Sequence, residues 1–466
     1  MSHRAVKIIA TVGPAIVDND RWLAVLEAGV NLFRFNFAHG TREVHAARIQ
    51  MVRALAEAKG QPVGILADIS GPKIRLGELA EDPFEFRVGK DVLLRSGETD
   101  GDGLPVQLPR FDEYVNVGDP IYVADGTRKL VVTGVESGAV RATVEVGGPV
   151  TSHKGINLPM LRKPLPPVGE KDLLDVEAAL DAGADWIGLS FVGDPDDVKP
   201  IRELMARKQL SRPVLAKLER RRALNKLEEI IAAFDGVMVA RGDLGIEVEF
   251  EKVPSIQDRI LRIARDLGKP AIVATQILTS MVRSPRPTRA EATDVAYAVA
   301  AGADALMLSE ETAIGDYPVE AVQTIVKVAR EVESVSGSGV PVLSVRQEDD
   351  PTALAHTAVA LARDIKAAAI LCPTTTGDAA RAVARFQPAV PIVAVSDSRD
   401  VVGELTLYRG VHPHYTPLGE SLDERIRAAI DHSRRLGLTE AGSKLVLVGG
   451  VPTRSGRTNL LLIYTV

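Results

Sequence analysis

Eight short apolar runs, each followed by a helix-like stretch, constrain the fold of this chain more than any other feature. They are Lys7–Thr11, Leu32–Phe37, Val63–Asp68, Trp186–Phe191, Val214–Leu218, Val237–Ala240, Ala271–Thr275 and Ala305–Leu308. A continuous apolar run of that length suits a strand buried on both faces, and hence a parallel sheet. The intervening stretches Asp20–Ala28, Lys171–Ala182 and Leu224–Phe234 carry apolar residues on one helical stripe. Ala28-Gly29, Ala182-Gly183 and Ala301-Gly302 end such stretches just ahead of the next run. Eight strands alternating with helices predict an α/β fold of the (β/α)8 TIM-barrel type.

One spacing breaks the pattern. The runs start 23–34 residues apart, except that Val63 and Trp186 are separated by 123. Subtracting one βα unit of ~30 residues leaves an insertion of about 90. Within it, Phe84–Val88, Asp91–Leu94, Pro120–Val123, Lys129–Val135 and Val140–Val146 alternate with Gly, Asp and Pro, which predicts a small β-barrel lid domain. It leaves after the third strand, at the active-site end of such barrels. The pattern restarts beyond a Ser/Gly-rich linker at Ser334–Gly339, with helices Leu354–Asp364, Ala379–Phe386 and Leu422–Leu436. Strands Ala368–Leu371, Ile392–Val395, Lys444–Val448 and Leu460–Val466 complete a C-terminal α/β domain. The expected division is 1–75 with 164–335 for the barrel, 76–163 for the lid and 336–466 for the C-terminal domain.

Composition narrows the function. The 466 residues balance 56 Lys+Arg against 62 Asp+Glu, so a nucleic-acid scaffold with a broad basic face is not expected. No run approaches the ~20 apolar residues of a membrane span, and Met1–Pro14 has no signal-peptide pattern. Cys372 is the only cysteine, which excludes an intramolecular disulfide and a Cys-based zinc site. A cytoplasmic location is expected.

The polar residues fall at the carboxyl ends of the predicted strands. Strand two ends in Arg34, Asn36 and His39, and strand three in Asp68, with Lys73 and Arg75 beyond. Strand five carries Lys217 and Glu219, strand six ends in Arg241-Gly242-Asp243, strand seven in Thr275-Gln276 and strand eight in Ser309-Glu310-Glu311. In a barrel these ends converge on one mouth. Each set alone reads as loop polarity; together, two acids among several cations suit a divalent metal beside a phosphate. Lys217 and Glu219 are two apart and so share a strand face, where the bland reading is a buried ion pair. Gly242 leaves room for backbone amides to approach an anion.

These residues, in this order, resemble the pyruvate kinase family. The resemblance covers KIIATVGP from Lys7, NLFRFNFAHG from Asn31, DISGPKIR from Asp68, KGINLP from Lys154 and AKLE ending at Glu219. It continues through DGVMVARGDLG from Asp235, KPAIVATQILTSM from Lys269, the R-x-T-R-A-E run at Arg286–Glu291 and MLSEETAIGDYP from Met307. It implies phosphoryl transfer from phosphoenolpyruvate to ADP. By resemblance Glu219 and Asp243 hold Mg2+ (or Mn2+), while Gly242, Asp243 and Thr275 hold the three-carbon unit. Lys217 lies against the phosphoryl group, Arg34 contacts the phosphate, and Thr275 and Ser309 line the face where the enolate is protonated. Asn36, His39, Arg75 and Lys154 match nucleotide contacts, and the resemblance implies a homotetramer.

The departures carry information. Potassium-using members hold the ion with Asn, Ser, Asp and Thr. Here Asn36 and Asp68 remain, but Ala38 and Ile69 replace the other two, and Lys73 stands where those members carry Glu. A tethered ammonium supplies the missing charge, so K+ is not expected to be required. Glu310 replaces a Gly, and the run Arg220–Arg222 reads as a solvated face. In the C-terminal domain, Thr374, Thr375, Thr376 and Gly377 precede a predicted helix, with Arg454 and Arg457 as cationic contacts. This reads either as an allosteric sugar-phosphate or nucleotide site or as a helix cap with a surface loop. His412-Pro413-His414 reads as a strand end. Two rival functions are a Mg-dependent pyruvate- or phosphoenolpyruvate-type lyase, which needs no lid, and a non-catalytic metabolite-sensing paralogue.

Overall fold

The computed structural model describes residues 4–97, 103–336, 349–417, 421–450 and 458–466. Eight parallel strands close into a barrel: β1 (Lys7–Thr11), β2 (Leu32–Asn36), β3 (Gly64–Ile69), β4 (Trp186–Leu189), β5 (Val214–Leu218), β6 (Gly236–Ala240), β7 (Ala271–Ala274) and β8 (Ala305–Leu308). Each pairs with its sequence neighbours, and β1 closes the ring against β8 with Lys7 opposite Ala305. All eight predicted runs are strands, and three of them have the expected bounds.

Alternation along the strands sorts the side chains into two shells. Ile8, Phe33, Ile65, Ala216, Val237 and Val273 point outward and pack against the surrounding helices. The helix Arg42–Lys59 is one of these; Thr41 caps its start through the Val44 amide, and Gly60 closes it in the left-handed region at φ 60°. Ile9, Leu32, Leu66, Trp186, Leu215, Met238 and Ile272 belong to a second core. That core runs on into the C-terminal domain through Leu405, Leu407 and Tyr408. The interior is therefore largely apolar toward the floor, where Lys7 is a buried exception that donates to the Val411 carbonyl at 2.5 Å, and residues of the same parity one or two steps further along each strand reach the mouth.

Between Ile74 and Asn157 the chain builds a seven-stranded sheet and a two-stranded pair around Leu94, Phe111, Ile121, Leu130 and Val140. The short strands Ile74–Arg75, Leu104–Val106, Gly148–Val150 and Gly155–Asn157 were not expected from the sequence. Ile74–Arg75 and Gly155–Asn157 pair antiparallel, so the outgoing and returning connections of the lid are bonded to each other. The C-terminal domain holds β9 (Ala369–Pro373), β10 (Ile392–Ser396), β11 (Val411–Tyr415), β12 (Lys444–Gly449) and β13 (Leu460–Thr465) in the order β11-β10-β9-β12-β13. His412, Pro413 and His414 lie inside β11 and not at a strand end; a parallel edge strand accommodates a proline on its unpaired side. Part of the expected linker, 337–339, lies outside the described residues. Among the described residues no helix is long and apolar enough to cross a membrane.

Candidate active site

Parity places the chemistry. On β5, Leu215 faces the barrel interior, so Lys217 and then Glu219 follow on the same side toward the mouth. On β3, Leu66 is succeeded by Asp68 in the same way. Lys217 Nζ lies 3.0 Å from Asp68 Oδ1 and 3.1 Å from Glu219 Oε1, and it donates to Ser190 Oγ at 2.6 Å. These groups are nearly solvent-free: Lys217 is 7% exposed, Glu219 2% and Asp68 1%. Arg34 Nε donates to the other Asp68 oxygen at 2.6 Å, and its Nη1 donates to Thr11 Oγ1 at 3.1 Å.

The charges tune one another. Burial pushes the Asp68 carboxyl up, but Lys217 and Arg34 more than reverse this and hold it below the ordinary carboxylate range. Burial pushes the Lys217 ammonium down, and Asp68 with Glu219 outweighs it, so Lys217 stays protonated. Glu219 is pushed up, chiefly by burial, with Asp243 and Asp68 adding and Lys217 opposing. That influence of Asp243 on Glu219 puts the two acids in one neighbourhood, just beyond the ends of the paired strands β5 and β6. Asp243 is held loosely, with Lys73 Nζ 3.5 Å from Oδ1. Lys73 also lies 3.7 Å from Asp125 of the lid.

Two carboxylates at one rim match the needs of Mg2+, which takes one or two protein acids and completes its shell with substrate oxygens and water. Among the described residues no third His, Cys, Asp or Glu closes a cage. Glu219 Oε2 accepts the Phe191 amide at 2.7 Å, which orients the carboxylate.

The remaining predicted residues fall around this centre. Thr275 and Gln276 both have positive φ, 66° and 54°, and Arg241 holds the Thr275 carbonyl with Nε and Nη2 at 3.2 and 2.9 Å. Thr275 Oγ1 accepts the Gly242 amide at 2.7 Å, which ties strand-seven chemistry to the helix Arg241–Glu247. Ser309 Oγ is buried with no hydrogen-bond partner among the described residues. Glu310, by contrast, is exposed at the first position of a short helix, where a carboxylate is favoured. Asn36 Oδ1 accepts the Ala38 amide at 3.2 Å. His39 is held below its ordinary range by burial and by Arg75, Arg34 and Lys73, which marks these cations as its neighbours. Arg75 Nη1 donates to the His153 carbonyl at 3.1 Å, and the Leu76 amide donates to the Lys154 carbonyl at 2.9 Å.

Two readings change. Arg220 is not a solvated residue: Nη2 donates to the Pro72 carbonyl at 3.2 Å, and the guanidinium sits 5.2 Å from the Phe191 ring centre. Only Arg221 and Arg222 form surface pairs, with Glu249 and Asp194. Ser190 escaped the sequence reading, although it ends β4 by the same rule that found the other strand ends. The adjacent Gly71 has φ 64°, and a Cβ there would stand 2.7 Å from the Ser190 carbonyl oxygen. In the C-terminal loop, Thr374 Oγ1 accepts the Gly377 amide at 2.8 Å and Thr376 Oγ1 donates to Asp378 at 2.8 Å. Thr375 is exposed, while Arg454 and Arg457 lie outside the described residues.

A closed parallel barrel with acids and cations gathered at the carboxyl rim, beneath an inserted β lid, defines a lidded (β/α)8-barrel enzyme. Residues 3–322 match the pyruvate kinase barrel domain and residues 352–464 the pyruvate kinase alpha/beta domain. A pyruvate kinase of Methylorubrum extorquens is 40% identical over 467 residues, covering 99% of this chain and 97% of that protein. One from Mycobacterium intracellulare is 40% identical and covers 100% and 99%. One from Geobacillus stearothermophilus is 39% identical and covers 99% of this chain and 80% of its own. The chain belongs to the pyruvate kinase family of phosphotransferases.

Proposed function

We propose that the chain moves the phosphoryl group of phosphoenolpyruvate to ADP, with Mg2+ between Glu219 and Asp243 and no need of K+. The observation that carries this is the buried Lys217 ammonium, 3.0 and 3.1 Å from Asp68 and Glu219 at the mouth. When bound, Mg2+ would neutralise charge on the substrate carboxylate and phosphate oxygens. Lys217 and Arg34 set fixed positive charge against the phosphoryl oxygens in flight, as a loose phosphoryl transfer requires. The bond from phosphorus to the enol oxygen breaks while the ADP β-phosphate oxygen bonds to phosphorus. The resulting enolate takes a proton at its methylene carbon. Thr275 and the unpaired Ser309 hydroxyl orient the water that delivers it. Asn36, His39, Arg75 and Lys154 bind ADP, and the lid formed by 76–163 closes over both substrates and excludes water.

Lys73, 3.5 Å from Asp243, takes over the charge that a potassium ion supplies elsewhere. The 336–466 domain carries effector binding at Thr374–Gly377, and the enzyme acts as a cytoplasmic homotetramer. The test is ATP formation from phosphoenolpyruvate, ADP and Mg2+. Wild type is expected to be active, and Lys217→Met slower by about a hundred- to a thousandfold, the cost of removing one preorganised charge. A wild type that forms no ATP would favour the lyase or the sensor.

A further inference from the structure

The two segments that join the lid to the barrel run against a small cavity of about 60 Å³ at the edge of the mouth. Its wall includes Pro72 on the outgoing segment and Asn157 on the returning one, with Phe191, Arg220 and Glu247 from the barrel. Outgoing Ile74 and Arg75 pair with returning Ile156 and Gly155, so a contact that holds one segment bears on both.

Arg220 reaches this junction from just beyond the end of β5. Its Nη2 donates to the Pro72 carbonyl at 3.2 Å, and its guanidinium lies 5.2 Å from the Phe191 ring centre. Lys73 Nζ lies 5.9 Å from the same ring centre, so one ring serves the barrel cation and the lid-root cation together. Phe191 is itself fixed: it is buried, its φ is 59°, and its amide donates to Glu219 Oε2 at 2.7 Å. Glu247 is the acid that most offsets the cost of burying Arg220, and its carboxylate accepts from the Asn157 side chain. Glu247 ends the helix Arg241–Glu247, whose third residue is Asp243. The two acids proposed to hold Mg2+ therefore share short backbone segments with the two side chains that grip the lid root.

We propose that Arg220 is a positioning residue that clamps the outgoing lid segment at Pro72 to the barrel rim and thereby sets where Arg75 and Lys154 stand at the mouth. The proposal rests on the reading above that Arg75 and Lys154 bind ADP. A planar guanidinium can donate to a carbonyl from its edge while its face lies on an aromatic ring, which an ammonium cannot do. Removing Arg220 frees the lid root without removing any group assigned to phosphoenolpyruvate, so the cost falls on ADP.

The test is amide hydrogen exchange of the full-length protein, read by mass spectrometry without turnover. In Arg220→Gln the paired amides of 74–76 and 155–157 are expected to exchange at least about tenfold faster, while the paired lid strands within 130–144 stay within about twofold. Arg220→Lys, and Phe191→Leu, which removes the ring and keeps the amide, are each expected to speed the same lid-root amides at least about threefold. Steady-state kinetics give the second readout: in Arg220→Gln the KM for ADP should rise at least about fivefold and that for phosphoenolpyruvate stay within about twofold, a split that general loosening of the fold would not produce. An inactive wild type whose variants exchange as expected keeps the clamp and removes the ADP reading. The proposal is overturned by unchanged lid-root exchange in Arg220→Gln or, should that variant not fold, in both Arg220→Lys and Phe191→Leu. It is equally overturned by exchange that rises as much across the lid core, or by KM values that rise together for both substrates.

Discussion

Lys73 shows how one side chain redirects a site. Its ammonium lies beside Asp243 and reaches toward Asp125 of the lid, so it adds positive charge next to one of the two acids proposed to hold Mg2+. Glutamate at this position would set like charge against Asp243 and call for a compensating cation. Lys73→Glu is therefore expected to create a requirement for K+. Measured in tetraalkylammonium buffer, the variant should gain at least about tenfold on adding K+, a change of one decade per 1.4 kcal/mol of transition-state stabilisation. Wild type should change less than about twofold. Strong stimulation of wild type by K+ would contradict this role for Lys73. Arg220 teaches a different lesson. Three consecutive arginines read as surface, and only contacts from Pro72 and Phe191, distant in sequence, show that the first is packed inward.

Among the elements, the helix Arg399–Leu405 docks the C-terminal domain on the barrel floor. A Cβ at Gly403 would stand 2.0 Å from Asp185 Oδ1, and Asp185 cannot retreat because Arg53 and the Ile65 amide each bond its other oxygen at 2.6 Å. Alanine favours a helix over glycine by about 1 kcal/mol, but overpacking of this kind costs about 1–3. Gly403→Ala is accordingly expected to lower the melting temperature by a few degrees in calorimetry. An unchanged or raised value would mean that this contact does not form. That helix and the lid strands Leu104–Val106 and Gly148–Val150 were not legible in the sequence. Leu104–Val106 and Gly148–Val150 contain Pro or Gly and are too short to show a period, and Arg399 and Asp400 mask the helix among polar loops. The barrel strands were legible because burial on both faces demands unbroken apolar runs. Their polar ends were legible because a barrel converges them. Which end residues touch, such as Ser190 with Lys217, depends on registers that no local pattern records.

At the scale of the whole molecule, the apolar interior of the barrel and the core of the C-terminal domain are continuous, so the two are expected to respond to pH together. Glu404 sits at their junction, and its carboxyl is pushed up from 4.5 to about 7, chiefly by burial, with Arg381 opposing. The folded state then holds this proton more tightly than the unfolded chain. The associated stability is fully present below pH 4.5 and is lost as pH rises through about 7. Between those limits wild type should lose about 1–3 kcal/mol relative to Glu404→Gln, measured as diverging denaturation midpoints. Parallel curves would show that Glu404 is not buried in this way.

The active-site account rests on far-separated strand ends sharing one divalent ion. The most direct measurement is anomalous scattering from crystals grown with Mn2+ and phosphoenolpyruvate. The expected result is a single metal peak within about 2–2.3 Å of carboxylate oxygens from both Glu219 and Asp243, with Lys217 on the phosphate side. A peak bound by only one of these acids, or a Lys217 turned away from the phosphate, would contradict it.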